Sequence, residues 1–454
     1  MNSAPVGISN IHLHIPDSRL PLEKLISERV GWNPKLGRHL DRAIKTTGQK
    51  NIRFPRFWED SATMAAQAAH GLIKDMPELR LQGLRYLAVG TESGLDHSKP
   101  LSAFVEGMLD RSGLEIPTSL ASFQVQHACA AGTLAMLSVG GLLSLSPRDD
   151  ESGIVVASDI ARYKTETTAE ITQGAGAAAL LLEKNPKLIE LDLTTQGYCS
   201  RDVDDFFRPL GSKIAQVQGR YSMEVYKENL EAAFEDHAQR RGMEPSALLT
   251  STDFFVLHAP FRNMPVLAMK HLLEKHLGMV NGQTEGFLES RGFFSALDPI
   301  AEFGNTYTAS LYVALAYLLA DRYHALGEQI VGKSILLASY GSGNTLIVLS
   351  GRIAAGAPSV IRRWDLPKLI TGGVVAGMEE YRTWVGGPLE GNVYANRLRE
   401  TGVPANRFYL GGIREDGYRE YQFSAAEGVV GEERREERTA ESERIARPEQ
   451  AARS

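Results

Sequence analysis

Cysteine is nearly absent: a chain of 454 residues carries only Cys129 and Cys199. Two thiols make no disulfide framework and are too few for a cysteine-rich zinc or iron–sulfur site. The eleven histidines show no HExxH or comparable ligand spacing. His12 and His14, two apart, read as decoration on one face of an N-terminal strand, so no metal is expected. Concentrated positive charge is missing too. The formal net charge is -6 and no Lys/Arg-rich face is evident, which removes the electrostatic basis for nucleic-acid binding. The opening MNSAPVGISNIHLHIPDSRL has no basic segment followed by an apolar core, and no run reads as the roughly 18 to 20 apolar residues that span a bilayer. The expectation is no membrane and a cytoplasmic location.

What is present fits a water-soluble globular chain: 43% hydrophobic, 23% charged and 43 glycines for turns and close approaches. The first part reads as α/β: a helix near 60–75, strands over 85–90 and 122–125, and a helix from Ala130. Strands over 153–158 and 177–183 follow, with the Gly-rich piece 173–176 read as the turn between them. The second part repeats the style, with helices over 223–241, 264–276 and 308–323 and a strand over 253–258. A hairpin of 334–339 and 345–350 turns at 340–344. Both parts hold a strand, a Gly-rich piece and a second strand: SDIARY with QGAGAAALLLE, then ILLASYGSGNTLIVLSG. The division predicted is 1–195, 196–423 and a Glu/Arg-rich tail, 424–454, too poor in apolar residues to bury a core.

Cys129 lies in QVQHACAAGTLAML, where a short strand runs into a helix start. Free N–H groups and the helix dipole there favour a thiolate, and the flanking Ala128, Ala130, Ala131 and Gly132 leave room beside the sulfur. A small buried core cysteine is the competing reading. His258 ends the strand TDFFVLH, a position where α/β active sites gather or where a histidine closes a turn. Glu92, after a hydrophobic strand in AVGTESG, has the setting of a partly desolvated carboxylate, a general acid or base, or else of a loop anchor. Asn305, in EFGNTYTASLY with Thr308 as a helix cap, offers an amide to a carbonyl or an imidazole, or closes the turn. Cys199, among acidic residues, reads as structural. QGAGAA and YGSGN lack the P-loop lysine and the full dinucleotide pattern.

Taken in order, GTES with LDHSK, HACAAGT, SDIARY, TQGAGA, DFFRP with GRYS, HAPF, GNTYTASLY and SYGSGN resemble the hydroxymethylglutaryl-CoA synthase family of the thiolase superfamily, over about 5–423. The resemblance implies a five-layered αβαβα thiolase fold from two related halves, working as a homodimer, with no cofactor beyond thioesters carried on coenzyme A or phosphopantetheine. It implies that Cys129 takes an acetyl group from a thioester and that Glu92 removes a methyl proton. The enolate then attacks the ketone of a β-ketoacyl thioester held by His258 and Asn305, and water releases the product. Gly341, Ser342 and Tyr163 follow as substrate contacts, with an oxyanion hole from backbone N–H groups around Cys129 and Ser342.

Two departures bear on the substrate. After HAPF the family commonly carries lysines for coenzyme A phosphates, whereas this chain reads Arg262, Asn263, Met264, Pro265, Val266, Leu267, and Ala130 follows the cysteine where a bulkier residue is common. Lost charge favours an acceptor tethered to an acyl carrier protein, as in polyketide β-branching, over mevalonate-type chemistry on free coenzyme A. An acidic carrier would dock on cations such as Arg201, Arg208, Lys213 and Arg220. A type III β-ketoacyl synthase would not need Glu92, and a thiolase proper would need a second cysteine where SYGSGN has serine. A non-catalytic carrier-binding protein of this fold remains the alternative of a different class.

Overall fold

The computed structural model describes residues 4–76, 81–387, 389 and 391–425. Ten strands form its main sheet: β1 (Val6–His14), β2 (Leu84–Gly90), β3 (Ala121–Val125), β4 (Ser152–Ala161), β5 (Gly174–Lys184), β6 (Ile189–Leu191), β7 (Gly197–Ser200), β8 (Phe254–Leu257), β9 (Ser334–Gly341) and β10 (Thr345–Ile353). Their order is β8-β9-β10-β6-β1-β5-β4-β2-β3, with β7 paired to β10 off this path. The two wings mirror each other. Parallel β2 and β4 lead into the antiparallel pair β4/β5, and parallel β8 and β9 lead into the antiparallel pair β9/β10. The faint internal similarity in the sequence thus falls on equivalent hairpins.

Strand residues divide between two cores by their period of two. Val155 and Ala157 of β4 face one cluster while Ile154 and Val156 face the other. Behind the first wing lies α1 (Ser61–Lys74), started by a capping box in which Asp60 accepts from the Thr63 amide and Thr63 returns the bond. Between the wings lie α2 (Ala131–Leu145) and α5 (Ser310–Leu326), and α3 (Gly219–Arg240) packs outside β10, with α4 (Met264–Leu277) against it. Helix, sheet, central helix pair, sheet and helix give the five layers of a thiolase-like α/β fold.

Several boundaries differ from the sequence reading. QGAG is not a turn: residues 162–173 connect the strands and Gly174 already begins β5. A Cβ on Gly174 would stand 2.7 Å from the Asn305 backbone nitrogen, so the glycines serve close approach. Helix α3 starts a turn earlier than Met223, at Gly219. The uncharged stretch Ala128–Leu145, with mean hydropathy 1.7, does have the length of a membrane span. Its glycines and serines disguised it, and in the fold it is the central helix and the loop before it. The chain after Ile353 returns to the first wing: the hairpin Arg407–Ile413 with Arg419–Ser424 packs near α1, and Phe408, Leu410 and Tyr421 join that core. Apart from Ser424 and Ala425, the tail predicted over 424–454 lies outside the described residues.

Candidate active site

The two wings meet around a cavity of about 520 Å³ whose lining includes Cys129, Tyr163, His258, Asn305, Tyr307 and Ser342. Cys129 sits in the turn between β3 and α2, where Ala128 adopts φ 41°, a left-handed conformation that costs a residue with a Cβ roughly 1–2 kcal/mol. The residue is 9% exposed, and its thiol donates to Glu92 Oε1 at 3.3 Å. The helix start does not deliver the expected thiolate. Burial, followed by the nearby Glu92 and Asp159 charges, pushes the thiol well above its ordinary range. A dipole end worth a few tenths of a kcal/mol to about 1 kcal/mol is outweighed by desolvation beside two carboxylates.

Glu92 follows β2 and is held on three sides. Its amide donates to Asp159 Oδ1 at 2.9 Å, Arg208 Nη2 donates to its Oε2 at 2.6 Å, and Arg208 Nη1 donates to its carbonyl at 2.9 Å. Burial first, then repulsion from Asp159, raises the Glu92 pKa to about 8 against the pull of Arg208. Asp159, fully buried on β4, accepts from Thr91 Oγ1 at 2.9 Å and from the Thr308 amide at 3.2 Å, and burial raises its pKa to about 6. Thr308 does not cap its own helix. Its Oγ1 instead accepts from the Gly132 amide at 2.6 Å, tying the turn before α5 to the start of α2.

The groups that hold His258 are uncharged. His258 directly follows β8, its amide donating to the Ala338 carbonyl at 2.8 Å. Its Nδ1 lies 2.7 Å from Ser310 Oγ, which also accepts from the Ala259 amide at 3.4 Å. The pair closes in either direction: a Ser310 hydroxyl donating to Nδ1 leaves the ring proton on Nε2, and an Nδ1–H donating to Oγ leaves Nε2 with a lone pair. Burial lowers the imidazole pKa to about 3, so the ring is neutral across physiological pH. Asn305 closes its turn by accepting from the Tyr307 amide at 2.8 Å and donates to the Tyr163 hydroxyl at 3.3 Å.

Residues 6–187 match the family model for the hydroxymethylglutaryl-coenzyme A synthase N terminal, and residues 295–382 match that for the C terminal. Similarity extends to a solved structure of MvaS in complex with 3-hydroxy-3-methylglutaryl coenzyme A, at 30% identity and a TM-score of 0.80, over 93% of this chain and 99% of the other. The chain belongs to the hydroxymethylglutaryl-CoA synthase family. It is 29% identical to the hydroxymethylglutaryl-CoA synthase of Haloferax volcanii, over 68% of this chain and 76% of the relative. It is also 27% identical to the polyketide biosynthesis 3-hydroxy-3-methylglutaryl-ACP synthase PksG of Bacillus subtilis, over 76% and 81%.

Against this synthase framework, the residues anticipated from sequence fall into four groups. Cys129, His258, Asn305 and Tyr163 line the cavity, and Glu92 stands next to it as the hydrogen-bond partner of the Cys129 thiol. Gly341 serves packing: a Cβ there would meet the His127 carbonyl at 2.5 Å, so the β9/β10 tip presses on the cysteine turn and presents Ser342 beside it. The proposed docking cations scatter. Arg208 points inward to Glu92, Arg201 pairs with Glu228 at 3.7 Å, Lys213 lines a second cavity, and Arg220 stands on the lining of the first. Cys199 is structural in position, donating to Asn229 Oδ1 at 3.3 Å.

Sequence reasoning gave no site role to Asp159, Ser310 and Asp205. All three lie inside quoted or adjacent motifs, SDIARY, GNTYTASLY and DDFF, but their value lies in partners more than fifty residues away. Asp205 holds the tip of the second hairpin, accepting from the Tyr340 hydroxyl at 2.7 Å and the Gly343 amide at 3.1 Å.

Proposed function

We propose that this chain condenses a Cys129-bound acetyl group with the β-ketone of a β-ketoacyl thioester carried on an acyl carrier protein. One observation carries the chemistry: Glu92 Oε1 lies 3.3 Å from the Cys129 sulfur, where the methyl group of an acetyl-cysteine would lie within reach. Attack by sulfur on the donor thioester forms the new S–C bond and breaks the old one, with the thiol proton passing through Glu92 to the departing thiol. Glu92 then takes a methyl proton, leaving an enolate whose charge rests on the thioester oxygen. That carbanion bonds to the acceptor ketone, polarised by the neutral His258 Nε2–H, and the resulting alkoxide takes up the proton. Water cleaves the Cys129 thioester and frees the enzyme.

The carrier-bound acceptor is favoured by the segment after HAPF. Arg262 is engaged by Asp298 at 2.8 Å, and Phe261 and Met264 turn an apolar face to the cavity. A free coenzyme A acceptor is the second reading, favoured by His39, Arg42 and Lys164 on the cavity lining. We further propose a cytoplasmic homodimer. β3 ends the sheet and leaves one edge open among the described residues, the kind of edge that a second copy can extend. Light scattering of the purified chain measures its mass.

Intact-protein mass spectrometry after incubation with acetyl-CoA or with an acetylated carrier protein tests the proposal, with Cys129→Ala as control. Cysteine-dependent acetylation, followed by condensation only with a carrier-bound β-ketoacyl group, is expected. Condensation with acetoacetyl-CoA at equal efficiency would shift the reading to free coenzyme A, and no acetylation from either donor would overturn the donor assignment.

A further inference from the structure

The sequence reading placed Arg208 on a docking surface, and the structure gives it another position. It follows a short strand, Phe206–Phe207, that pairs with Gln216–Val217 to form a strap over the cavity. The strap's inner side is built into the site: Phe206 packs edge-on against Tyr163 and Tyr307, and the Ala215 amide donates to the Arg162 carbonyl at 3.0 Å. Phe207 is 48% and Leu210 88% exposed on the other side. The guanidinium reaches inward past the Tyr307 ring and makes two bonds to one residue, at 2.6 Å to Glu92 Oε2 and 2.9 Å to the Glu92 carbonyl.

We propose that Arg208 is a positioning residue for the Glu92 base, fixing Oε2 so that Oε1 remains aimed at the group on Cys129 and placing a positive charge against the carboxylate. The assignment rests on Glu92 being the base of the proposed condensation. Two bonds of different origin, one to a carboxylate oxygen and one to the backbone, set both the rotation and the location of the carboxylate. The groups acting on Glu92 come from several elements: Asp159 from β4, Cys129 from the turn before α2, Tyr163 from the connection after β4 and Tyr307 from the turn before α5. Asp159 repels the charged form and burial disfavours it, whereas Arg208 stabilises it. Arginine is suited to the task because its planar fork serves two acceptors at once, whereas a lysine ammonium provides charge without that geometry.

The test reads proton removal separately from condensation. The full chain, acetylated on Cys129, is held in D₂O across a pH series without acceptor, and deuterium entering the acetyl methyl is measured by mass. In wild type the exchange rises with pH as Glu92 ionises. Arg208→Gln should move the midpoint upward by at least one pH unit and lower the plateau rate about tenfold. Arg208→Lys should restore the midpoint to within a few tenths of a unit but leave the plateau low. Should the Gln variant fail to fold, Arg208→Lys alone still decides, because loss of the fork lowers the plateau and retention of charge fixes the midpoint. Exchange in wild type with an unchanged midpoint and plateau in the variants overturns the role of Arg208 alone. Acetylated wild type that shows no Glu92-dependent exchange overturns the base reading itself, and this assignment with it.

Discussion

The groups around Cys129 and those around His258 are both withdrawn from solvent and opposite in electrostatic character. On the Cys129 wall, Arg208 donates to the Glu92 carboxylate at 2.6 Å and the Asp159 carboxylate accepts from the Glu92 amide at 2.9 Å, so an arginine and a second carboxylate both converge on one residue. Among the described residues, His258 bonds to a serine hydroxyl, a tyrosine hydroxyl on its carbonyl and a backbone carbonyl, none of them charged. Desolvation acts on both and always against the charged form, so it raises the carboxyl pKa and lowers that of the imidazole. The outcome is a division of labour. Glu92, at about 8, can give and take a proton near neutrality, while His258, at about 3, stays a neutral donor that polarises a carbonyl without leaving a positive charge behind.

The largest expected effect strikes the charged wall. Glu92→Gln keeps the hydrogen-bonding shape but removes the base, so condensation should fall about 10²–10⁴-fold, while acetyl-Cys129, whose formation loses only its proton relay, still accumulates at a lower rate. Mass spectrometry paired with product assay separates the two steps, and loss of acetylation instead would show that Glu92 acts chiefly on the thiol. His258→Ala should lower kcat by about 10²–10³, the scale of a lost oxyanion donor, with methyl exchange on the acetyl-enzyme retained. If exchange fell equally, the walls would not divide the work.

The pH profile sharpens the contrast. Because the base form of Glu92 grows as pH rises through its raised pKa, the kcat/KM limb should climb near pH 8. His258, lowered to about 3, contributes no limb between pH 5 and 9. An inflection near pH 6.5 that disappears in His258→Gln would contradict a neutral imidazole. The smallest effect belongs to Ser310→Ala. Loss of one neutral hydrogen bond of about 1 kcal/mol should slow condensation about five-fold and leave the Glu92 limb unmoved. A shifted limb would mean that the two walls are coupled through α5.

Legibility from sequence followed the same divide between local and distant causes. Strands β2, β8 and β9, helices α1 and α4 and the turn carrying Cys129 were readable because apolar period, Gly placement and a small-residue helix start act over a few residues. Arg208 was misread because an arginine between Phe207 and Pro209 in a polar stretch looks solvated until the strap folds it over Glu92. Thr308 was read as a cap, which is correct chemistry applied to the wrong helix, since the amide it satisfies belongs to Gly132.

The sequence by itself determined the pieces: the nucleophile at a helix start, a carboxylate and a histidine each at the end of a buried strand, and a pair of similar hairpins that build two wings. Their motifs also determined the family. Only the tertiary structure decided the charge states. Those depend on burial and on which carboxylates and guanidinium meet across the interface between the wings, and Coulomb interactions over a few ångströms join residues that lie as far apart in the chain as Glu92 and Arg208.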